Sequence, residues 1–201
     1  MNIHIKNISF SYPEKPVLSG VNLTLTSEEP VLLLGASGQG KTTLLRIIAG
    51  FLTPQSGEID GVDRSTRIAV LFQEDRLFDH MTVWKNWKLI REDLSREEAI
   101  VLLNELGLED EVLDQLPAAL SGGMRRRIAL GRALLFKADF LLMDEPYQGL
   151  DEETRHLALA ATKKYAKGRP MLVISHEASD GPALGAKVVT LEEISSDARA
   201  Y

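Results

Sequence analysis

The chain has 201 residues, 23 lysines and arginines against 29 aspartates and glutamates, and no cysteine. That length can bury a real core within one domain, and without cysteine there is no disulfide framework, thiolate metal site or thiol nucleophile, as suits a reducing compartment. A net charge of −6 gives no broad electrostatic reason to bind nucleic acid, and the longest apolar runs, such as Val31 to Leu34, fall far short of the ~20 residues that span a bilayer. The first residues, Met1-Asn2-Ile3-His4-Ile5-Lys6, alternate polar and apolar and lack a signal peptide's apolar centre. The expectation is a soluble, cytosolic chain whose membrane role, if it has one, comes through a partner.

Residues 3–10 and 21–26 alternate as half-buried strands do, with Tyr12-Pro13-Glu14-Lys15-Pro16 as the turn between them. They predict an antiparallel sheet with one solvated face. Val31 to Leu34 is apolar at every position, the mark of a strand covered on both sides. It leads into a glycine-rich loop and a helix from Thr42 to Ala49, which Gly50 caps and the turn at Pro54 to Gly57 follows. Ile68 to Phe72 is a further buried strand. From about 82 to 116 the spacing is helical, with Ser95-x-x-Glu98 as a capping box and Gly107 as a stop. A helix after Leu120-Ser121-Gly122-Gly123 runs to about Phe136. Then come a strand at Phe140 to Met143, a helix over 152–167, a strand at Met171 to Ile174 and a last strand at Val188-Val189. With no internal repeat, this order predicts an α/β core interrupted by a helical lobe.

Gly35-Ala36-Ser37-Gly38-Gln39-Gly40-Lys41-Thr42 fits the phosphate-loop pattern G-x-x-x-x-G-K-[ST], with a strand before it and a helix after it. Glycines let backbone N–H groups converge on phosphate oxygens, and the start of the helix offers further N–H groups and the positive end of its dipole. Lys41 then reaches the β- and γ-phosphates as a point charge, and the Thr42 hydroxyl is a ligand for Mg²⁺, with Thr43 following in the first helical turn. Such a loop needs a carboxylate from a neighbouring strand to complete the metal site. Asp144 stands at the end of the apolar run Phe140 to Met143, where ligands collect in parallel sheets. Glu145, the next residue, is placed to orient and polarise a water attacking the γ-phosphate.

Leu120-Ser121-Gly122-Gly123, between that loop and Met143-Asp144-Glu145-Pro146, makes the chain resemble the ATP-binding subunits of ABC transporters over nearly its whole length. The resemblance implies a P-loop NTPase core with a mainly parallel sheet, an antiparallel β part at the N-terminus and an inserted helical lobe. It assigns residues 1–73 and 139–201 to the core and 74–138 to the lobe. It also implies that Tyr12 stacks on adenine, that Gln73 reaches metal and attacking water, that Gly149-Leu150-Asp151 is a dimer-facing loop, and that His176 contacts the γ-phosphate. Ser121 to Gly123, a hydroxyl and small-residue amides at a helix start, is a second anion site. In the family, two subunits face head to tail, so that Ser121 and Gly123 of one close over ATP held by Lys41 of the other. The implied ligands are ATP and Mg²⁺. The implied partners are a second, identical ATPase subunit, transmembrane permease subunits docking on the lobe and a separate solute-binding protein, with no nucleic acid. The implied place is the cytoplasm, peripheral on the inner face of the cell membrane.

Two departures stand out. Met124 occupies a position where the family often has Gln, and Gln148-Gly149 replaces a small Ser-Ala pair; neither removes a group that binds phosphate or metal. Arg125-Arg126-Arg127 reads as a mostly solvated helix face in an acidic chain, with one arginine facing a partner's nucleotide or the lobe interface. Phe78 and Trp84 divide between lobe core and permease docking. Gln73-Glu74-Asp75-Arg76-Leu77 resembles importer ATPases of the nitrate, sulfonate and taurine group. The alternatives are a soluble ABC-type ATPase without a transport partner and a nucleotide-sensing module, which would be expected to lack Glu145 or His176. The expectation is that no regulatory domain follows after about Leu191.

Overall fold

In the computed structural model, which describes residues 1–13 and 15–196, period-two alternation builds the first sheet. Strands β1 (Asn2–Tyr12) and β2 (Lys15–Thr26) pair antiparallel, and β4 (Ser56–Asp60) adds to the far side of β1. Ile3, Ile5 and Ile8 of β1 point inward while Asn2, Lys6 and Asn7 face solvent. The expected turn from Tyr12 to Pro16 is tighter than its sequence suggests: Tyr12 already pairs with Lys15, and Pro16 with Ser11, while Glu14 lies outside the described residues.

The second sheet is wholly parallel, in the order β5 (Ile68–Leu71), β6 (Phe140–Asp144), β7 (Met171–Ser175), β3 (Val31–Leu34) and β8 (Lys187–Thr190). Its middle strands are apolar up to their carboxyl-terminal residues because both faces are covered, and the pleat sends alternate residues to two separate cores. Leu33, Leu142, Leu172 and Ile174 join the antiparallel sheet and α1 (Lys41–Ile48) on one side. Leu32, Leu141, Met143 and Val173 join α4 (Gly122–Leu135), α5 (Glu152–Tyr165) and the helices between β5 and β6 on the other.

Those intervening helices are α2 (Val83–Lys88) and α3 (Arg96–Glu105), followed by 3₁₀ turns at Asp110–Asp114 and Pro117–Ala119. The helical spacing over 82–116 is therefore broken, not continuous. Ser95 and Glu98 form the expected capping box of α3, and Gly107 follows that helix with φ 69°. Trp87 is fully buried and donates its indole N–H to the Ile128 carbonyl at 3.0 Å. Gly131 of α4 admits that ring, since a Cβ there would lie 2.6 Å from it. Trp84 is half-buried, with the cations of Lys88 and Arg96 over its ring, and Phe78 is 47% exposed.

Three elements carry little sequence signal: β4, α6 (Asp180–Leu184) and α7 (Leu191–Ile194). Ser56 and Gly57 read as a turn but open β4, an edge strand with mostly solvent-facing polar residues. The last core helix ends at Tyr165, short of the expected 167, in a terminal turn holding Lys163 and Lys164 that complement its dipole. No helix among the described residues is long and apolar enough to cross a membrane.

Candidate active site

The carboxyl ends of β3, β6 and β7 open on one cleft of about 320 Å³, bounded by Tyr12, Lys15, Thr43, Gln73, Glu145 and His176 among others. Its floor is the loop from Gly35 to Gly40. Gly38 and Gly40 take φ of 83° and 100°, conformations that L side chains rarely adopt, and a Cβ on Gly40 would lie 2.7 Å from Val17. Gln39 folds its carboxamide back over Gly35. Lys41, the first residue of α1, is buried, and its ammonium donates to the carbonyls of Gly35 and Ala36 at 2.6 and 2.7 Å. Burial lowers the Lys41 pKa, while the charges of Glu145 and Asp144 act against that shift.

Beside it, the Thr42 hydroxyl donates to Asp144 Oδ2 at 2.7 Å. Asp144 ends β6 and is 2% exposed, so desolvation raises its pKa against the opposing pull of Thr42 and Lys41. The two side chains present hard oxygens at one spot, a donor set that suits Mg²⁺, which takes one or two protein oxygens and keeps phosphate and water for the rest. Gln73 shares the cleft, though its amide donates to Gln148 Oε1 at 3.3 Å.

Glu145 lies just past β6 with φ 50°, an uncommon conformation for a side chain of that kind, secured by its N–H donating to the Ile174 carbonyl at 3.0 Å. The turn aims its carboxylate at His176, with Oε1 2.9 Å from Nε2. Desolvation raises the Glu145 pKa, with His176 pulling the other way. His176 Nε2 also lies 3.4 Å from the Ser37 hydroxyl, so a residue at the end of β7 meets the phosphate loop. Beneath it, Ser175 donates to the fully buried Asp180 at 2.6 Å, and Asp180 accepts from Arg155 of α5 at 2.7 and 3.0 Å. Tyr12 stands at the cleft's outer edge, 42% exposed, with its ring edge-on to Phe10. An aromatic face, a nest of loop amides, a cation, two hard oxygens and a carboxylate beside imidazole can together hold a nucleotide and act on its terminal phosphate.

Two expected groups lie outside this cleft. Ser121 caps α4 by accepting from the Met124 N–H at 3.3 Å, and Gly122 and Gly123 border a shallower cleft with Gln73, Gln148 and Arg126. Asp151 caps α5, accepting from the Thr154 N–H at 2.9 Å, and those bonds hold its carboxyl below the usual carboxylate range.

The arginine run departs from expectation. Only Arg125 is substantially accessible; Arg126 and Arg127 are buried, at 4% and 8% exposure. Arg127 donates to the carbonyls of Leu106 and Gly107, and Arg126 crosses from α4 to the core. A run of like charges reads as solvated because burial is costly, but backbone carbonyls can accept from most of a guanidinium's N–H groups; the buried Arg126 Nε–H is left without a partner among the described residues. Lys15 in the cleft was also missed: only the hairpin register brings it beside Tyr12.

The family profile described as ABC transporter matches residues 18–148. The thiamine import ATP-binding protein ThiQ of Escherichia coli K12 is 36% identical over 207 residues, covering 95% of this chain and 88% of that protein. The aliphatic sulfonates import ATP-binding protein SsuB 1 of Agrobacterium fabrum is 35% identical over 195 residues, covering 94% and 70%. A dimeric ATP-binding cassette, solved in a post-hydrolysis state bound to ADP and Pi, superposes with a TM-score of 0.79 at 27% identity, covering 94% of this chain and 93% of that one. With that profile over more than half of the chain and relatives along nearly its full length, the chain belongs to the ABC transporter family, as an ATP-binding, ATP-hydrolysing subunit.

Proposed function

We propose that the chain powers solute import by closing as a head-to-tail dimer around two ATP molecules. The single observation that carries this is the convergence of Lys41, Thr42, Asp144, Glu145 and His176, drawn from three parallel strands, on one cleft. Tyr12 offers its face to adenine, and the amides from Gly35 to Gly40 with Lys41 bind the phosphates; Thr43 lines the same pocket. Thr42, Asp144 and Gln73 would hold Mg²⁺, which would supply positive charge against the charge developing on the phosphates. Glu145 accepts the proton of a water attacking the γ-phosphorus as the bond to the β-phosphate oxygen breaks. Its raised pKa makes it a stronger base than a solvated glutamate. His176 gives a hydrogen bond to the γ-phosphate and keeps Glu145 oriented.

Ser121 and Gly123 complete the site across the dimer, which explains why they stand apart from the cleft of their own chain, and Asp151 faces the partner beside them. Residues 1–73 and 139–201 act as the nucleotide-binding core and 74–138 as the lobe. Phe78, exposed beyond Gln73, suits the docking of a permease helix. The chain then works in the cytoplasm against the inner face of the membrane, with a separate binding protein delivering solute. Thiamine and sulfonate relatives match it almost equally, so the cassette supports either chemistry and the membrane subunits choose.

Glu145→Gln tests the reading. Turnover falls by about two to four orders of magnitude, the range for loss of a general base. ATP binding stays within a few-fold, and a dimer accumulates in ATP on size exclusion. Near-normal turnover by that variant overturns the role given to Glu145.

A further inference from the structure

The arginine run points to a role that phosphate binding does not absorb. Arg126 sits in the second turn of α4, 4% exposed, and spreads its guanidinium over two separate segments. Nη1 donates to the carbonyls of Phe72 and Gln73 at 2.8 and 3.2 Å and to Asp75 Oδ1 at 3.2 Å. Nη2 donates to the carbonyls of Asp144 and Glu145 at 2.6 and 2.7 Å. One side chain therefore fastens the main chain of the residue proposed to reach metal and water, Gln73, to that of the proposed base, Glu145.

Two features make this more than packing. Glu145 has a left-handed backbone, φ 50°, which persists only where its surroundings over-determine it. The Ile174 carbonyl holds its N–H and Arg126 holds its carbonyl, so both ends of the strained residue are gripped. Second, the only carboxylate on the guanidinium among the described residues is Asp75, and the segment carrying it is itself strapped to α4: Arg132 donates to the carbonyls of Asp75 and Arg76 at 2.9 and 2.7 Å. Desolvation lowers the Arg126 pKa, but from a starting value so high that the group stays charged. A buried charge spent mainly on main-chain carbonyls is a costly way to fill space, and an apolar residue would fill it at less cost.

We propose that Arg126 is a positioning residue for hydrolysis, which sets Gln73 and Glu145 in register with each other and ties both to the helix that begins at Ser121. This rests on the role given to Glu145 above. Lysine at 126 keeps the charge against Asp75 but cannot spread planar donors over carbonyls on two segments. In Arg126→Lys and Arg126→Gln we expect kcat to fall on the order of tenfold to a hundredfold, the scale of losing an orienting contact behind a reacting group. The dissociation constant for ATP, measured on the same samples, stays within about twofold, because none of the groups that contact nucleotide is altered. Millimolar methylguanidinium restores part of the lost rate in Arg126→Ala and none in the parent. A kcat in Arg126→Lys and Arg126→Gln within twofold of the parent overturns the proposal. So does loss of ATP binding in step with turnover, which marks a merely structural part. If Glu145→Gln loses turnover while Arg126→Lys does not, only the inference about Arg126 fails; normal turnover by Glu145→Gln removes the reading beneath it.

Discussion

Two helix starts in this chain are shaped for anions, and they are built very differently. At α1, Gly40 and Lys41 open a loop whose cation is buried, whose threonine is already bonded to Asp144, and whose neighbours Glu145 and His176 are in contact. At α4, Ser121 caps the helix, exposed glycine follows, and Arg126 and Arg127 beyond it turn back into the protein. Both offer N–H groups and a positive dipole end, yet only the first carries groups that can bind metal or take a proton. On the proposed reading, the second start recognises a charge held by a partner subunit, and one chain then has the machinery for binding and half of the enclosure for reaction.

The largest test of that contrast mixes two broken chains. Lys41→Ala and Ser121→Arg each lose most of their hydrolysis, by on the order of a hundredfold or more. Lys41→Ala also loses ATP binding, whereas Ser121→Arg keeps it. In an equal mixture, half the dimers pair the two variants and rebuild one intact site of two, so about a quarter of the parent rate returns. Recovery absent under conditions where the proteins associate removes the composite site.

A smaller test uses pH on nucleotide-free protein in chelator. The Asp144 carboxyl has its folded pKa raised by burial, so its contribution to stability is full below its unfolded value and is lost as pH rises through the folded value. The melting temperature of Asp144→Asn relative to the parent should therefore climb as pH rises above about 4, the ordinary carboxylate range. A pH-independent difference contradicts the burial argument. The smallest effect lies at the other helix start: Ser121→Ala removes one cap and should cost about 1 kcal/mol in denaturant unfolding. Because the cap is a bond from the Met124 backbone N–H, which does not titrate, that loss should be equal at pH 5 and pH 8.

Legibility differed between these regions for a physical reason. The phosphate loop is local: strand, glycine turn and helix are contiguous, so spacing alone carried Gly35 to Thr42, and apolar runs ending in Asp144-Glu145 or Ser175-His176 marked the strand ends that face them. Ser121 as a helix cap was equally local, and so was the box at Ser95 and Glu98. β4 was missed because an edge strand of Ser, Gly and Glu buries too little to leave a pattern. Arg126 and Arg127 were misread because their partners are carbonyls about 20 or more residues away, which no periodicity reports.

From its residues alone, the chain determined an alternating α/β order, the chemistry of its phosphate loop and the identity of the carboxylates beside it, because backbone geometry and local spacing act over a few residues. Only the tertiary structure decided which residues share a cleft. Parallel packing of β3, β6 and β7 set His176 against Glu145 and Ser37, while packing of the lobe turned Gln73 toward Gln148 and drew Arg126 and Arg127 inward. Those choices depend on contacts between distant segments, where burial makes one arrangement of charges and carbonyls far cheaper than any other.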